Sequence, residues 1–163
     1  MAVRAPIFPM PTFRHPHRVV YSECTLGNHI YYARFLDLFE EARGELFRTM
    51  GTPFLALQEA GLILPVLEAD VRYARAVRYD ELVHVEVTPS ILGRVRLEFA
   101  YRVLGPGDEV RVAGRTLHVA TNLQDRPQRL PPDLVAALAP WLGLGETTAG
   151  NADPKPTPAP AGA

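Results

Sequence analysis

The chain has 163 residues, 47% of them hydrophobic, and its 17 basic and 18 acidic residues leave a formal net charge of −1. That length suits one domain, and so even a balance argues against a protein whose main business is nucleic acid, which needs a basic face. The lone Cys24 excludes an internal disulfide framework and any multi-cysteine metal site, and no apolar run nears the roughly 20 residues of a membrane span.

Residues 1–14 read as an extended lead-in, because Pro6, Pro9 and Pro11 interrupt any apolar run that could serve as a signal core. A soluble cytoplasmic protein is the expectation. One folded domain is expected over 15–143. Residues 144–163 turn to Pro, Ala and Gly without periodicity and are expected to be disordered.

Residues 17–24 predict a strand, with Val19, Val20 and Tyr21 supplying β-branched and aromatic side chains. Residues 25–28 predict a turn in which Gly27 and Asn28 tolerate positive φ. A helix is predicted over 32–50. At about 100° per residue, Phe35, Leu36, Leu38, Phe39, Ala42, Leu46, Phe47 and Met50 share one broad arc. Arg43 projects inside that arc and Glu40 lies at its edge. Gly51 ends the helix, and a short helical turn is predicted over 53–60.

The rest is mostly strand, over 62–73, 81–88, 94–103 and 109–122. The third of these alternates most cleanly, with Val95, Leu97, Phe99, Tyr101 and Val103 on one face. Gly105, Pro106, Gly107 and Asp108 make a hairpin turn, and the shift of face near Gly114 suggests a bulge. A short helix follows over 131–139. The fold class is therefore α+β: an antiparallel sheet wrapped around one long central helix, with open edges that favour dimerisation.

Chemistry concentrates between Tyr21 and Arg43. A helix opening after a polar turn offers unpaired N–H groups and the positive end of its dipole, as an oxyanion hole requires. Thr25, Asn28, His29, Tyr32 and Glu40 flank it as catalytic candidates. At the helix edge Glu40 would be partly desolvated, which raises a carboxyl pKa toward that of a useful base; the alternative is an i, i+3 ion pair with Arg43. His29 is a general base or a turn residue; Asn28 donates to a carbonyl or simply accepts the left-handed conformation. Cys24 reads as strand-end packing, and His84 and His118 as satisfied or surface strand residues. The five histidines are too dispersed for zinc, so no metal and no cofactor is expected. Arg72, Arg75, Arg78, Arg94, Arg96 and Arg102 are either phosphate contacts or a solvated sheet face.

The motif Tyr21, Ser22, Glu23, Cys24, Thr25, followed by His29, Ile30, Tyr31, Tyr32 and by Phe39, Glu40, Glu41, Ala42, Arg43, Gly44, resembles the hot-dog-fold acyl-CoA thioesterases of the 4-hydroxybenzoyl-CoA thioesterase type. Residues 78–82 and 130–134 are similar to the later part of that family. The resemblance implies a hot-dog fold, homodimers with a continuous sheet or homotetramers built from them, and acyl-CoA bound between subunits. It places the thioester carbonyl at the Tyr32 N–H; Tyr31 and Arg43 are the substrate-binding candidates. Many members carry an Asp two residues after the Glu23 position, where this chain has Thr25. A neutral hydroxyl cannot act as a base near pH 7 but can orient a water, which leaves Glu40 as base with His29 as rival. The expected reaction is hydrolysis of an acyl-CoA to free acid and CoA. A non-catalytic acyl-thioester binder and a hydratase or dehydratase are the other readings.

Overall fold

The computed structural model describes residues 12–142, so the expected tail over 144–163 lies outside the described residues. Strand β1 (Phe13–Arg18) is followed by a miniature hairpin, β2 (Cys24–Thr25) and β3 (His29–Ile30). Then come the central helix α1 (Arg34–Thr49), a short helix α2 (Phe54–Glu59), and strands β4 (Val66–Tyr73), β5 (Leu82–Leu92), β6 (Arg96–Leu104) and β7 (Val110–Val119). Helix α3 (Pro132–Leu138) closes the domain. The five long strands form one antiparallel sheet in the order β1-β5-β6-β7-β4. This is the hot-dog arrangement of a sheet around one helix.

Burial explains the packing. Val83, Val85 and Val87 on β5 and Leu97, Phe99, Tyr101 and Val103 on β6 turn inward, as the period-two alternation requires. They meet Phe35, Leu38, Phe39, Ala42, Leu46 and Phe47 of α1. Each large side chain buried there contributes about 1.5–3 kcal/mol of transfer free energy. Leu36 departs from the expected arc. It is 41% exposed, at the rim that the sheet leaves uncovered.

Three local expectations are corrected. The first strand begins at Phe13, inside the expected lead-in, and stops at Arg18; Tyr21–Glu23 is a single 3-10 turn. Here polar alternation decides: His15 and His17 pair with Glu41, and His17 also with Glu23, which anchors a segment that propensity alone leaves open. Secondly, Gly114 lies in unbroken register between Val71 and Tyr101, and the irregularities fall at Val66/Glu68 and Val103/Leu104. A Cβ at Gly114 would sit 2.6 Å from the Phe39 ring and 2.8 Å from the Asp70 carbonyl. Gly114 thus admits a ring rather than an extra residue. Thirdly, β5 runs on through Pro89. The β1 partner ends at Phe13 opposite Val87, so the missing N–H of Pro89 falls where no described strand asks for it.

Candidate active site

The β2–β3 hairpin and the turn after it deliver the chain to α1. Gly27 and Asn28 both take positive φ (84° and 59°), and the Asn28 N–H closes the turn on the Thr25 carbonyl at 3.1 Å. The Ile30 N–H donates to the Val77 carbonyl (2.8 Å) and the Tyr31 N–H to the Glu23 carbonyl (2.9 Å), which fixes the approach. Helical bonding starts with Arg34 N–H to the Tyr31 carbonyl at 2.9 Å and Phe35 N–H to the Tyr32 carbonyl at 3.4 Å. Among the described residues, the Tyr32 and Ala33 N–H groups find no acceptor in the protein. They are the orphan donors that a helix start leaves over.

Of the two, Tyr32 lines a cavity of about 420 Å³, together with Thr25, residues 29–31, Phe35 and residues 73–77. Its wall is aromatic. The Tyr31 and Tyr32 rings lie 4.5 Å apart, and Tyr73 stands edge-on to Tyr32 (6.4 Å) and to Phe35 (5.6 Å). The hydroxyl of Tyr32, bonded to Tyr31, holds the Tyr31 phenol above its ordinary pKa. Burial, and then the neighbouring Tyr32, push the Tyr73 phenol up. Both therefore remain neutral donors near pH 7.

Of the residues expected at the site, Thr25, His29, Tyr31 and Tyr32 meet in this cavity. His29 donates through Nδ1 to the Ile30 carbonyl at 3.2 Å, which leaves Nε2 free to accept. Asn28 is not among the lining residues. It occupies the left-handed conformation at the hairpin tip, the purely conformational alternative. Glu40 and Arg43 lie elsewhere, in a second cavity of about 150 Å³ with Phe54, Leu57, Gln58 and residues 62–64. Glu40 lies eight positions beyond Tyr32, mostly along α1, about 12 Å at the helical rise of about 1.5 Å per residue.

Two expectations about α1 change. Glu40 is exposed on this chain, so its own subunit does not supply the expected desolvation. The Glu40–Arg43 ion pair does not form. Arg43 Nη1 donates instead to the Tyr101 hydroxyl at 2.9 Å, and its guanidinium lies over the Phe54 and Phe99 rings at 5.7 and 5.8 Å. Of the arginines offered as phosphate contacts, Arg75 alone lines the larger cavity, where Glu109 holds it at 2.7 Å. Arg72 and Arg102 pair with Asp70 and Glu86 on the sheet surface. Sequence reasoning missed Tyr73. Its signal was an aromatic residue closing a strand just before the Ala74–Ala76 break in alternation. No group of three or more metal-ligating side chains occurs among the described residues, and no helix there is long and apolar enough to cross a membrane.

Comparison with known proteins agrees with this architecture. The chain is 26% identical over 125 residues to the acyl-CoA thioester hydrolase YbgC of Escherichia coli, covering 76% of this chain and 93% of that protein. It is 25% identical over 136 residues to the 1,4-dihydroxy-2-naphthoyl-CoA hydrolase of Thermosynechococcus vestitus, covering 82% of this chain and 90% of that one. Among solved structures, a protein of Aquifex aeolicus superposes with a TM-score of 0.74 at 25% identity, covering 77% of this chain and 98% of its own. The sequence model of the thioesterase-like superfamily matches residues 19–138, from just after β1 to the end of α3, and the chain belongs to that superfamily.

Proposed function

We propose that this protein is an acyl-CoA thioesterase, hydrolysing the thioester to a free acid and CoA. The observation that carries this is the unsatisfied amide of Tyr32, a residue that lines a cavity with an aromatic wall. The similarity to YbgC and to the naphthoyl-CoA hydrolase supports the same reaction class.

In this reading the thioester oxygen accepts from the Tyr32 N–H, where the helix dipole stabilises the oxyanion of the tetrahedral intermediate. The Thr25 hydroxyl, in the same cavity, orients the attacking water. A base takes its proton, the carbon–sulfur bond breaks, and CoA leaves as thiolate, a leaving group good enough that modest base assistance suffices. His29 can serve as base from within the same chain. Glu40 can do so only from a second protomer, because its own helix holds it in the other cavity.

That requirement fits the open edge of the sheet. On β4, Val66 and Leu67 are each 52% exposed, and the strand has a partner, β7, on one side only. Pairing β4 with its copy across a two-fold axis extends the sheet and covers this apolar edge. We place the complete site in a homodimer formed in this way, alone or within a homotetramer, with Glu40 of one subunit facing the Tyr32 turn of the other.

Thiol release from a panel of aliphatic and aromatic acyl-CoAs tests the activity, with a thiol-reactive dye as readout. Turnover of at least one thioester is expected. Tight binding of acyl-CoA without release would replace hydrolysis by simple thioester binding.

A further inference from the structure

Arg43 is a half-buried cation on the apolar side of α1. No carboxylate lies within ion-pair distance of it among the described residues, and Tyr101 is its one hydrogen-bond partner there. The Tyr101 hydroxyl reaches Thr116 Oγ1 at 3.0 Å, and Thr116 Oγ1 reaches His118 Nε2 at 2.8 Å. His118 Nδ1 then meets the Leu64 carbonyl at 2.9 Å. Tyr101, Thr116 and His118 are 1%, 4% and 1% exposed.

The two ends of this chain fix every proton in it. A guanidinium only donates, so Tyr101 accepts from Arg43 and must spend its own proton on Thr116. A carbonyl only accepts, so His118 carries its proton on Nδ1 and offers Nε2 as acceptor to the Thr116 hydroxyl. Each hydroxyl gives one bond and takes one. The chain begins at Arg43 and ends at Leu64, and both residues wall the smaller cavity. Three buried polar side chains are a costly way to fill a sheet face that apolar residues fill more simply. What the chain accomplishes is to hold Arg43 against Tyr101 and away from Glu40, its i, i+3 neighbour in the same cavity.

We propose that Tyr101, Thr116 and His118 are positioning residues for thioester hydrolysis, a one-way hydrogen-bond chain that keeps the Arg43 guanidinium from neutralising the Glu40 carboxylate. This rests on the hydrolytic reading above, with Glu40 as base. Freed from Tyr101, Arg43 lies at helical spacing for an ion pair with Glu40, and a carboxylate paired with guanidinium is a weaker base. From the elements packed on α1, Tyr101 on β6 feels both Arg43 and Glu40 and His118 on β7 feels Arg43, while α2 contributes the neutral Gln58 to the cavity wall.

The test uses the full-length protein and the variants Thr116→Val and Thr116→Ser. Rates of thiol release are measured against pH, and the His118 tautomer is read from long-range ¹H–¹⁵N spectra. Thr116→Val breaks the chain at its middle. A fall in kcat of about tenfold is expected, a small part of what base catalysis contributes, with KM nearly unchanged and the acid limb of the kcat profile moved to lower pH. Thr116→Ser, which keeps the hydroxyl, restores both. A wild-type kcat and pH profile in a folded Thr116→Val protein overturns the proposal, as does equal impairment in Thr116→Ser. Should the wild type release no thiol from any acyl-CoA, the hydrolytic reading fails by itself. The spectra still test the chain then, since an Nε2–H tautomer or an imidazolium at pH 7 overturns it and the Nδ1–H tautomer supports it.

Discussion

The Tyr73 hydroxyl donates to the Tyr32 carbonyl at 3.1 Å, tying the last residue of the edge strand β4 to the turn that opens α1. The turn whose amide is proposed to bind the oxyanion and the open sheet edge are thus braced against each other by one side chain. Raised by burial, the Tyr73 phenol stays protonated and remains a donor. Tyr73→Phe keeps the ring that packs on Phe35 and removes the bond alone. A loss of about 0.5–1.5 kcal/mol is expected, read as a lower denaturation midpoint. Loosening of the turn lowers kcat/KM by a comparable factor, about threefold to tenfold.

Gly114 makes room for a ring. Phe39 stacks on Tyr101 with centroids 4.3 Å apart and planes 4° from parallel, and Gly114 stands opposite Tyr101 on the neighbouring strand. Gly114→Ala drives a methyl into the Phe39 ring and the Asp70 carbonyl, and the latter belongs to a paired strand and cannot yield cheaply. Destabilisation of about 1–3 kcal/mol is expected, as for other overpacked cores. Urea unfolding at constant m-value measures it. Displacement of Phe39 also disturbs Tyr101 and hence Arg43, so activity falls along with stability.

How legible was this protein from its residues? The central helix was, because six of the eight apolar positions stepped at 100° are the ones buried. The β6 alternation was equally plain. The grouping of the candidate residues was legible where it is local: Thr25, His29, Tyr31 and Tyr32 lie within eight residues of one another and share a cavity. What escaped depends on tertiary neighbours. Nothing near Arg43 in sequence announces Tyr101, 58 positions away, so a helical ion pair looked the natural alternative. Gly114 mimicked a bulge because a missing side chain and an extra residue break alternation alike. Glu40 looked half-buried on a helical wheel, which cannot show that a single sheet leaves that edge of the helix open.

His118 supplies a pH signature of stability. Burial foremost lowers its pKa from 6.5 to about 4; the bond to the Leu64 carbonyl pulls it up less strongly, and the Arg43 charge adds the smallest contribution, downward. A base whose folded pKa lies below its unfolded value stabilises the fold fully above pH 6.5. That contribution is lost as pH falls from there through 4, because the unfolded chain takes up the proton first. The effect is on the order of 3 kcal/mol. Protonated His118 would also set its Nε2–H against the Thr116 hydroxyl proton. Unfolding free energy measured from pH 7 to pH 4 should therefore fall more steeply in the wild type than in His118→Gln, and parallel slopes would remove this assignment.

Glu40 and His29 can be separated as bases by where each stands. Glu40→Gln keeps the side chain's length and removes only its basicity, at an exposed position with no ion pair among the described residues, so melting should be unchanged. If Glu40 of one subunit serves the Tyr32 turn of its partner, kcat falls about a hundredfold or more with KM little altered. His29→Asn, in the same cavity as Tyr32, then costs far less. The reverse order of losses would give the base role to His29 and make each chain's cavity sufficient by itself. Mixing Glu40→Gln with a variant that lacks the Tyr32 amide decides between one chain and two. When Glu40 acts across the interface and His29 is dispensable, Glu40→Gln mixed with Tyr32→Pro, which has no amide to donate, yields heterodimers with one site that carries both lesions and one that carries neither. Recovery of up to about half the wild-type activity per heterodimer is then expected, a gain that a site contained in one chain cannot show.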